Sequence, residues 1–403
     1  MRFGRDNRIV PVLMFHSVGL ERYPWIWRSL SDSVEFLEGL LGLLKASGFT
    51  TISWGELYGY MEGSRTLPRD SILLTFDDGY LDNWVLAYPL LKRLGMKATV
   101  FVTPEFVDPG TSCRPTLDDV GAGRCARGDL QVAGFLNWPE LCAMEASELI
   151  EVQSHALTHT WYFTAPEIRD FHAPHARYPY PYPWLLWNAR PERKAYYLVE
   201  DQQEFVPWGH PIFRHEKALI ARRFFPDPDA VRTVTDYVGD RGGRAFCEGP
   251  RWRDSLAQQM RELGIGNPFP GHYETDADRE SRIRHELSTS KQVLEQNLGK
   301  QVDYICWPGG GNDATVRRIA SEVGYKAWTL GSREFVNKRN VANTDPTSIR
   351  RMGGGSEIRV RGRPVGRPGP RFHLYRVFAH QRSLWHQSLL HAWKLGLVTG
   401  FRN

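Results

Sequence analysis

A unit of strand, helix and glycine recurs along this chain and restricts its fold more than any other feature. Short apolar runs typical of buried strands alternate with amphipathic stretches of helical spacing, and each such stretch closes on a glycine suited to a helix end. This alternation predicts an α/β fold with a mainly parallel sheet. The predicted strands are residues 10–16, 71–76, 97–102, 149–155, 302–308 and 326–330, and the predicted helices are residues 33–48, 85–95, 280–299 and 313–324.

Two regions of the chain break this alternation. Residues 161–277 are rich in proline and aromatic residues, and they predict an insertion or subdomain attached to the main fold of residues 8–160 and 278–350. Residues 351–403 are predicted as a C-terminal extension. It begins with a basic segment rich in Gly, Pro and Arg, predicted from Arg350 onward to be mobile, and continues as an amphipathic helix.

The composition excludes several classes of protein. A net charge of +5 over 403 residues, with 41% hydrophobic and 24% charged residues, indicates an ordinary soluble protein and gives no reason to expect nucleic acid as a partner. The N-terminal apolar run of about six residues is too short for a signal peptide, and no run approaches the roughly 18–20 apolar residues of a membrane span. Five widely spaced cysteines without a CxxC pair fit free thiols in a reducing compartment. We therefore expect a cytoplasmic protein.

Titratable residues collect at the ends of the predicted strands. Because the carboxyl ends of parallel strands lie at one edge of a sheet, we expect the side chains that follow them to meet. They are His16 after the first strand, Asp77 and Asp78 after the second, and His155 and His159 at the fourth.

Asp77 and Asp78 are adjacent like charges after an apolar run, and burying either without a partner would cost several kcal/mol. One carboxylate and two imidazoles form a facial set for a divalent metal with open positions. A metal bound by Asp78, His155 and His159 would neutralise one carboxylate and leave Asp77 as general base. Singly, each piece has a structural alternative: a DDG turn or helix cap, a surface or capping histidine pair, and a structural His16. Their combination favours the metal site.

Two of these stretches, "TFDDG" at residues 75–79 and "SHALTH" at residues 154–159, resemble the first two motifs of the polysaccharide deacetylase family, the nodulation deacetylase homology domain of carbohydrate esterase family four. The resemblance extends over residues 8–160 and 278–350. It implies a distorted (β/α) barrel, commonly of seven strands, here with a large insertion and a C-terminal extension. The activity it implies is removal of the acetyl group from the nitrogen of an amino sugar.

The resemblance also implies roles for the residues of these two motifs. Asp77 corresponds to the catalytic base, and Asp78, His155 and His159 correspond to the ligands of one divalent metal, zinc or else Co, Ni, Mn or Fe. Thr158 matches a hydroxyl position that supports the metal ligands.

The third motif of the family is Arg, any residue, Pro, an aromatic residue and Gly, but this chain has "CWPGG" from Cys306. The missing arginine normally pairs with the base. The backbone N–H of Gly309 is predicted to stabilise the oxyanion, and Trp307 and Pro308 are predicted to contact substrate. A late Leu-x-His motif is also absent, but "VLMFHSV" is similar to the first strand of a circularly permuted branch of the family, which implies that His16 is the general acid.

The predicted function is metal-dependent hydrolysis of the N-acetyl or N-formyl amide of an amino sugar. The sugar belongs to a glycan or to a lipid-linked glycoconjugate. Two alternatives stay open: hydrolysis of a non-sugar amide or cyclic imide on the same fold, and a non-catalytic glycan-binding relative, which the missing motif residues suggest.

Aromatic residues outside the motifs leave two further alternatives. Those of the insertion either stack on sugar faces or cover the barrel, and those of the C-terminal helix either pack on the barrel or lie on a membrane surface. Peripheral contact with the inner membrane face would fit a lipid-linked substrate. The residues concerned are Tyr178, Tyr180, Tyr182, Trp184 and Trp187 in the insertion and Trp385, Leu389 and Trp393 in the C-terminal helix.

Overall fold

The computed structural model describes residues 5–174, 180–266, 268–330, 339–355, 357–360 and 363–394. Tyr178, part of the predicted basic segment and residues 395–403 lie outside these ranges. The strands are β1 Val12–Phe15, β2 Ser17–Val18, β3 Ser31–Asp32, β4 Thr50–Thr51, β5 Ser71–Phe76, β6 Ala98–Val102, β7 Ile150–Ser154, β8 Trp161–Phe171, β9 Pro211–Lys217, β10 Phe224–Pro226, β11 Gly271–Tyr273, β12 Tyr304–Ile305, β13 Ala327–Thr329, β14 Ser348–Ile349, β15 Met352–Gly353, β16 Ile358–Val360 and β17 Arg363–Gly366. The helices are α1 Val34–Ala46, α2 Trp54–Glu62, α3 Tyr88–Leu94, α4 Leu117–Gly121, α5 Trp138–Ala146, α6 Pro183–Ala189, α7 Pro228–Gly239, α8 Arg244–Glu248, α9 Trp252–Glu262, α10 Asp276–Leu298, α11 Ala314–Val323, α12 Pro370–His380 and α13 Leu384–Lys394.

The main sheet is parallel and curls into a barrel. Its strands run in the order β14, β13, β12, β7, β6, β5, β1 and β15, with β4 beside β5. The stretch 348–353 pairs with β13 through Trp328 and Ser348 and with β1 through Leu13 and Met352, so it joins the two ends of the sheet. With that stretch counted once and β4 left aside, the ring has seven members among the described residues, which confirms the predicted (β/α) barrel.

Local sequence explains why these elements form. Each residue of β5 is buried, since a parallel strand in a barrel is covered on both faces. Helix α1 begins after Ser33, whose side chain accepts a hydrogen bond from the N–H of Phe36, and it buries Leu37 and Leu40. Full burial of such a leucine contributes roughly 1.5–3 kcal/mol. This repeated burial of one helix face against the sheet fixes the strand ends on which the site is built.

The structure corrects the prediction of a mobile segment from residue 350 onward. Residues 350–353 belong to the barrel closure instead, because β15 pairs with β1. The side chain of Asn340 donates to the carbonyls of Val10 and Arg350 and accepts from the N–H of Arg350. Gly- and Arg-rich composition indicated a loop, but two-residue strands are too short to produce an apolar run.

The region 161–277 combines an antiparallel pair of strands, β8 and β9, a second pair, β10 and β11, and helices α6 to α9. It has a hydrophobic cluster of its own around Phe213, Val234 and Leu256. Tyr180 and Trp184 are buried in another cluster, with Trp25 and Phe135 of the barrel. Part of the aromatic content of this region therefore covers apolar surface.

The C-terminal helices pack on one another and on α1. The rings of Phe372 and Trp393 lie 4.5 Å apart, whereas Trp385 is 47% exposed and Leu384 is 77% exposed. Trp385 and Trp393 therefore do not share a single exposed stripe. Among the helices within the described ranges, none combines the length and the hydropathy needed to cross a bilayer.

Candidate active site and metal centre

The side chains of Asp78, His155 and His159 converge at the carboxyl ends of β5 and β7. The Oδ1 atom of Asp78 lies 3.0 Å from Nε2 of His155 and 3.2 Å from Nε2 of His159. All three line one cavity of about 970 Å³, which also receives Asp77 and His16. The strand ends thus bring together the residues that the sequence analysis selected.

These three residues fit a divalent metal. Oδ1 of Asp78 is buried and makes no hydrogen bond of acceptable geometry with any described residue, although two imidazole nitrogens face it. A buried carboxylate oxygen in such surroundings needs a cation. Nδ1 of His155 lies 2.8 Å from the carbonyl oxygen of Cys306, an arrangement in which Nδ1 carries the proton and Nε2 is left to bind a metal.

A second group of metal-binding atoms is less suitable. Asp77, His155 and Cys306 also place one such atom each within 4.8 Å of one another. However, the guanidinium of Arg351 contacts both Asp77 and Cys306, and its charge opposes a cation at that position. Burial raises the pKa of the Cys306 thiol well above its usual range, so this side chain is a neutral thiol. The first group is therefore the better metal site.

The loop that carries the two histidines has a strained backbone, and hydrogen bonds to Glu286 hold it in place. Ala156 has a φ of 58° and His159 has a φ of 46°, conformations that cost non-glycine residues of order 1–3 kcal/mol. Glu286 of α10 accepts hydrogen bonds from the N–H groups of Leu157 and Thr158 at 3.1 and 2.8 Å and from the Thr158 hydroxyl at 2.9 Å. Thr158 thus anchors the loop through Glu286.

Lys194, from the region 161–277, supports the same loop. Its side chain is 2% exposed, donates to the carbonyl oxygen of Thr158 at 2.9 Å and forms an ion pair with Glu105. Burial lowers the pKa of Lys194, and the Glu105 charge opposes that shift. The sequence analysis selected neither Lys194 nor Glu286, because both act through the backbone of a neighbouring loop.

Asp77 forms a two-pronged ion pair with Arg351. Nη1 and Nη2 of Arg351 donate to the two carboxylate oxygens at 2.6 and 2.8 Å, and the side chains are 8% and 3% exposed. Burial raises the pKa of Asp77, but the charge and hydrogen bonds of Arg351 outweigh it, so the pKa lies below its usual value. Asp77 is therefore ionised at neutral pH.

Arg351 is the functional candidate that the sequence analysis missed. It lies between β14 and β15, and its side chain crosses the barrel interior to Asp77 and to the hydroxyl of Thr75 at 3.1 Å. Cys306, at the position of the motif arginine, contacts both members of the pair: its Sγ lies 3.4 Å from Asp77 and 3.0 Å from Arg351. A buried carboxylate without a motif arginine was the signal that another cation had to be nearby.

His16 lies beside Asp77, with Nε2 at 3.8 Å from Oδ2. Its backbone carbonyl accepts a hydrogen bond from the side chain of Asn83 at 2.9 Å. His16 therefore shares the side of the cavity on which Asp77 lies.

The three predicted residues of the third motif differ in whether they line the cavity. Trp307 and Gly309 line the cavity, whereas Pro308 is buried and is not among the lining residues. The N–H of Trp307 donates to the hydroxyl of Thr329 at 3.2 Å, which fixes the turn. Gly309 has a φ of 55°, a conformation that favours glycine. The contacts of Trp307 and Pro308 with substrate stay predictions.

The region 161–277 supplies a wall of the same cavity. Trp161, Trp187, Tyr197, Glu216 and Lys217 all line it. Aromatic rings predominate there, and the rings of Trp161 and His159 are 5.7 Å apart. A molecule that fills the cavity beside His159 would therefore also contact this region.

Comparison with known proteins agrees with this fold. The family model described as polysaccharide deacetylase matches residues 64–185 and 253–328. The chain belongs to the polysaccharide deacetylase family, as its first two motifs predicted. The gap between the matched segments falls within the region predicted as an insertion.

Two curated relatives match part of the chain. YxkH of Bacillus subtilis, which is named as a polysaccharide deacetylase, is 34% identical over 93 residues, or 23% of this chain and 31% of that protein. The poly-beta-1,6-N-acetyl-D-glucosamine N-deacetylase of Escherichia coli is 24% identical over 134 residues, or 33% of this chain and 18% of that protein. The matches therefore span less than a third of the length of these relatives.

A solved structure supports the fold over most of the chain. The deacetylase domain of BpsB from Bordetella bronchiseptica superimposes with a TM-score of 0.51 at 20% identity, covering 86% of this chain and 96% of that one. The de-N-acetylase of Aggregatibacter actinomycetemcomitans gives a TM-score of 0.50 at 17% identity, with 88% and 97% covered.

Proposed function

We propose that this chain is a metal-dependent hydrolase that removes the acetyl group from the nitrogen of an amino sugar within a polysaccharide. The observation that supports it most is the set of Asp78, His155 and His159 beside an ionised, arginine-paired Asp77 in one cavity. An amide bond that lies in this cavity would meet both a metal site and a base.

A divalent ion, zinc or else Co, Ni, Mn or Fe, held by Asp78, His155 and His159 would polarise the amide carbonyl and acidify a water molecule. Asp77 takes the proton of the attacking water, since it is ionised and lies next to the ligand set. Arg351 keeps Asp77 ionised and fixes both of its oxygens.

His16 and Gly309 complete the proposed machinery. Amide hydrolysis requires that the leaving nitrogen receive a proton, and His16 is the donor we assign to it. The 3.8 Å separation from Asp77 gives that proton a short path from the base to the acid. The backbone N–H of Gly309 donates to the oxygen on which negative charge develops.

The two alternatives now stand differently. The non-catalytic alternative rested on the absent motif arginine and the absent late Leu-x-His motif, and Arg351 supplies a guanidinium to the same carboxylate. Hydrolysis of a cyclic imide requires a similar metal and base, so substrate tests must separate it from deacetylation.

Metal content and amine release, measured together, test this proposal. Wild type is expected to bind one divalent ion and to release amine from N-acetylglucosamine oligomers. Asp78→Ala is expected to lose both the metal and the activity, and Asp77→Asn to keep the metal and lose at least a hundredfold in kcat, the usual range for a general base. Asp254→Ala, the same change on the exposed face of α9, serves as the matched control.

Three results would contradict the proposal. They are full activity of Asp78→Ala, full activity of Asp77→Asn, and a metal-loaded wild type that releases no amine from any acetylated sugar. In the last case, turnover of a cyclic imide would favour that alternative, and oligomer binding without turnover would favour the glycan-binding alternative.

A further inference from the structure

The antiparallel pair of β8 and β9 brings Trp161 and Lys217 together at the cavity wall. These two residues are direct partners in the register, and residues opposite one another lie on the same face of the pair. Since β8 starts just after the loop that carries His159, this face lies next to the proposed reaction centre. Glu216 starts from the other face, because it precedes Lys217 on β9, but it also lines the cavity.

The glycine run after Pro308 leaves space for the stem of Lys217. A Cβ atom at Gly309 would lie 2.8 Å from Cε of Lys217, and one at Gly311 would lie 2.9 Å from its Cδ, closer than real Cβ atoms come. Larger residues at either position would displace the lysine. Packing against the glycines therefore holds the Lys217 stem in place before any ligand binds, which lowers the entropy cost of a contact with its ammonium group.

The charged end of Lys217 is paired and partly exposed. Its Nζ lies 3.4 Å from Oε1 of Glu216, and the two side chains are 31% and 45% exposed. The pair has no net charge, but it offers both N–H donors and carboxylate acceptors to a ligand. Hydroxyl groups of a sugar donate and accept hydrogen bonds and match such a pair. A phosphate group would instead favour an unpaired cation.

Aromatic rings surround this pair. Trp161 stacks on Trp27 at a centroid distance of 6.2 Å and an angle of 14°. Trp187 also lines the cavity. The faces of such rings offer apolar surface against which the C–H groups of a sugar ring pack.

We propose that Lys217, Glu216 and Trp161 form a subsite for an uncharged sugar residue adjacent to the one that is deacetylated. This inference rests on the proposed function and deepens it: Glu216 and Lys217 lie between the two segments that the family model matches, and they assign recognition of the neighbouring sugar to the region 161–277. A cavity of about 970 Å³ lies at the upper end of the range for ligand sites, so it accommodates more than one sugar ring.

Chain-length dependence of kcat/KM tests the subsite. The substrates are the N-acetylglucosamine monomer, dimer and tetramer, and the key variant is Lys217→Met, which keeps an apolar stem and removes the ammonium group. Wild type is expected to act better on longer substrates. The variant is expected to lose about tenfold on the tetramer, mostly through KM, and far less on the monomer, because a lost hydrogen bond to a charged group is worth about one power of ten.

Two further variants serve as a control and as a second test of the subsite. Arg169→Met alters an exposed residue of β8 that does not line the cavity, and it should keep the wild-type dependence of kcat/KM on chain length. Glu216→Gln keeps the size of its side chain, and it should lose several-fold on the tetramer even if Lys217→Met does not fold. Tetramer binding to metal-free protein, followed by tryptophan fluorescence, gives a readout that does not depend on turnover.

The outcomes separate this inference from the proposed function. If wild type releases amine and both Lys217→Met and Glu216→Gln match it at every chain length, the subsite is refuted and the deacetylase stands. If wild type releases no amine but binds the tetramer more tightly than either variant does, the deacetylase fails and the subsite stands. A wild type that binds no oligomer, or that prefers a phosphate-linked monosaccharide, overturns the subsite.

Discussion

Replacing Arg351 by methionine tests the strongest charged contact of the candidate site. Its two hydrogen bonds to Asp77 measure 2.6 and 2.8 Å, and both side chains are almost fully buried. Methionine keeps an unbranched apolar stem but removes the charge, so the carboxylate is left buried and unpaired. Breaking a buried pair in this way costs about 3–5 kcal/mol in the free energy of unfolding.

A double-mutant cycle isolates this contact. Asp77→Asn, Arg351→Met and the double variant are unfolded in urea with metal chelated. Since the double variant carries neither charge, it should recover much of the stability that the single Arg351→Met variant loses, with a coupling energy of about 3 kcal/mol. The pKa of Asp77 is below 3.8 in the folded protein, so the pair contributes stability above that pH. The penalty of Arg351→Met should therefore shrink as the pH falls through the folded pKa.

An exposed pair provides the control for this cycle. Arg253 and Asp170 lie 3.0 Å apart, with side chains that are 57% and 26% exposed, and their coupling energy should stay below about 1 kcal/mol. A coupling energy below about 0.5 kcal/mol for Arg351 and Asp77 would refute the reasoning, because that is the level at which independent sites add. Arg351→Lys should recover only part of the coupling, since an ammonium group cannot bind both oxygens in parallel.

Two further substitutions test the surroundings of the site. Glu286→Gln should weaken metal binding by about tenfold to a hundredfold in a chelator competition, because the loop of Thr158 loses its carboxylate acceptor. Glu280→Gln on the same helix is the control. Equal metal affinities of the two variants would contradict the role of Glu286. Burial raises the pKa of Asp82 well above 3.8, so the folded protein keeps a proton that the unfolded chain releases, and this contribution to stability is lost as pH rises from 3.8 through the folded pKa. The advantage of Asp82→Asn over wild type should thus grow by about 1.4 kcal/mol per pH unit in that window, and a constant difference from pH 4 to pH 8 would count against it.

The fold was predictable where burial is continuous on both faces of a strand. β5 occupies the predicted residues 71–76, and β7 lies one residue inside its predicted bounds at each end. β12 is shorter than predicted, Tyr304–Ile305 against residues 302–308, because the chain turns at the Pro-Gly-Gly that follows it. An apolar run indicates burial, but it does not show where pairing stops.

The site was predictable only where motif and strand end coincide. Asp77, Asp78 and the two histidines follow strands that an apolar run reveals. Arg351 lies beside strands that no apolar run reveals, because β14 and β15 have two residues each and lie in a stretch whose composition is typical of a loop. It is 274 residues away from Asp77 along the chain, and only closure of the barrel brings the two together.

The contacts of Cys306 explain how a chain without the motif arginine can still keep its buried base ionised. A buried carboxylate requires a cation within hydrogen-bond distance, but it does not require that the cation come from a particular strand. Cys306 is small and fully buried, and its sulfur lies 3.0 Å from the guanidinium of Arg351, in the space beside Asp77. An arginine at position 306 would place a second guanidinium in that space, and the two like charges would repel each other. Cys306 and Arg351 therefore act together: the small side chain at the motif position leaves space for the guanidinium of Arg351, which comes from the stretch that closes the barrel.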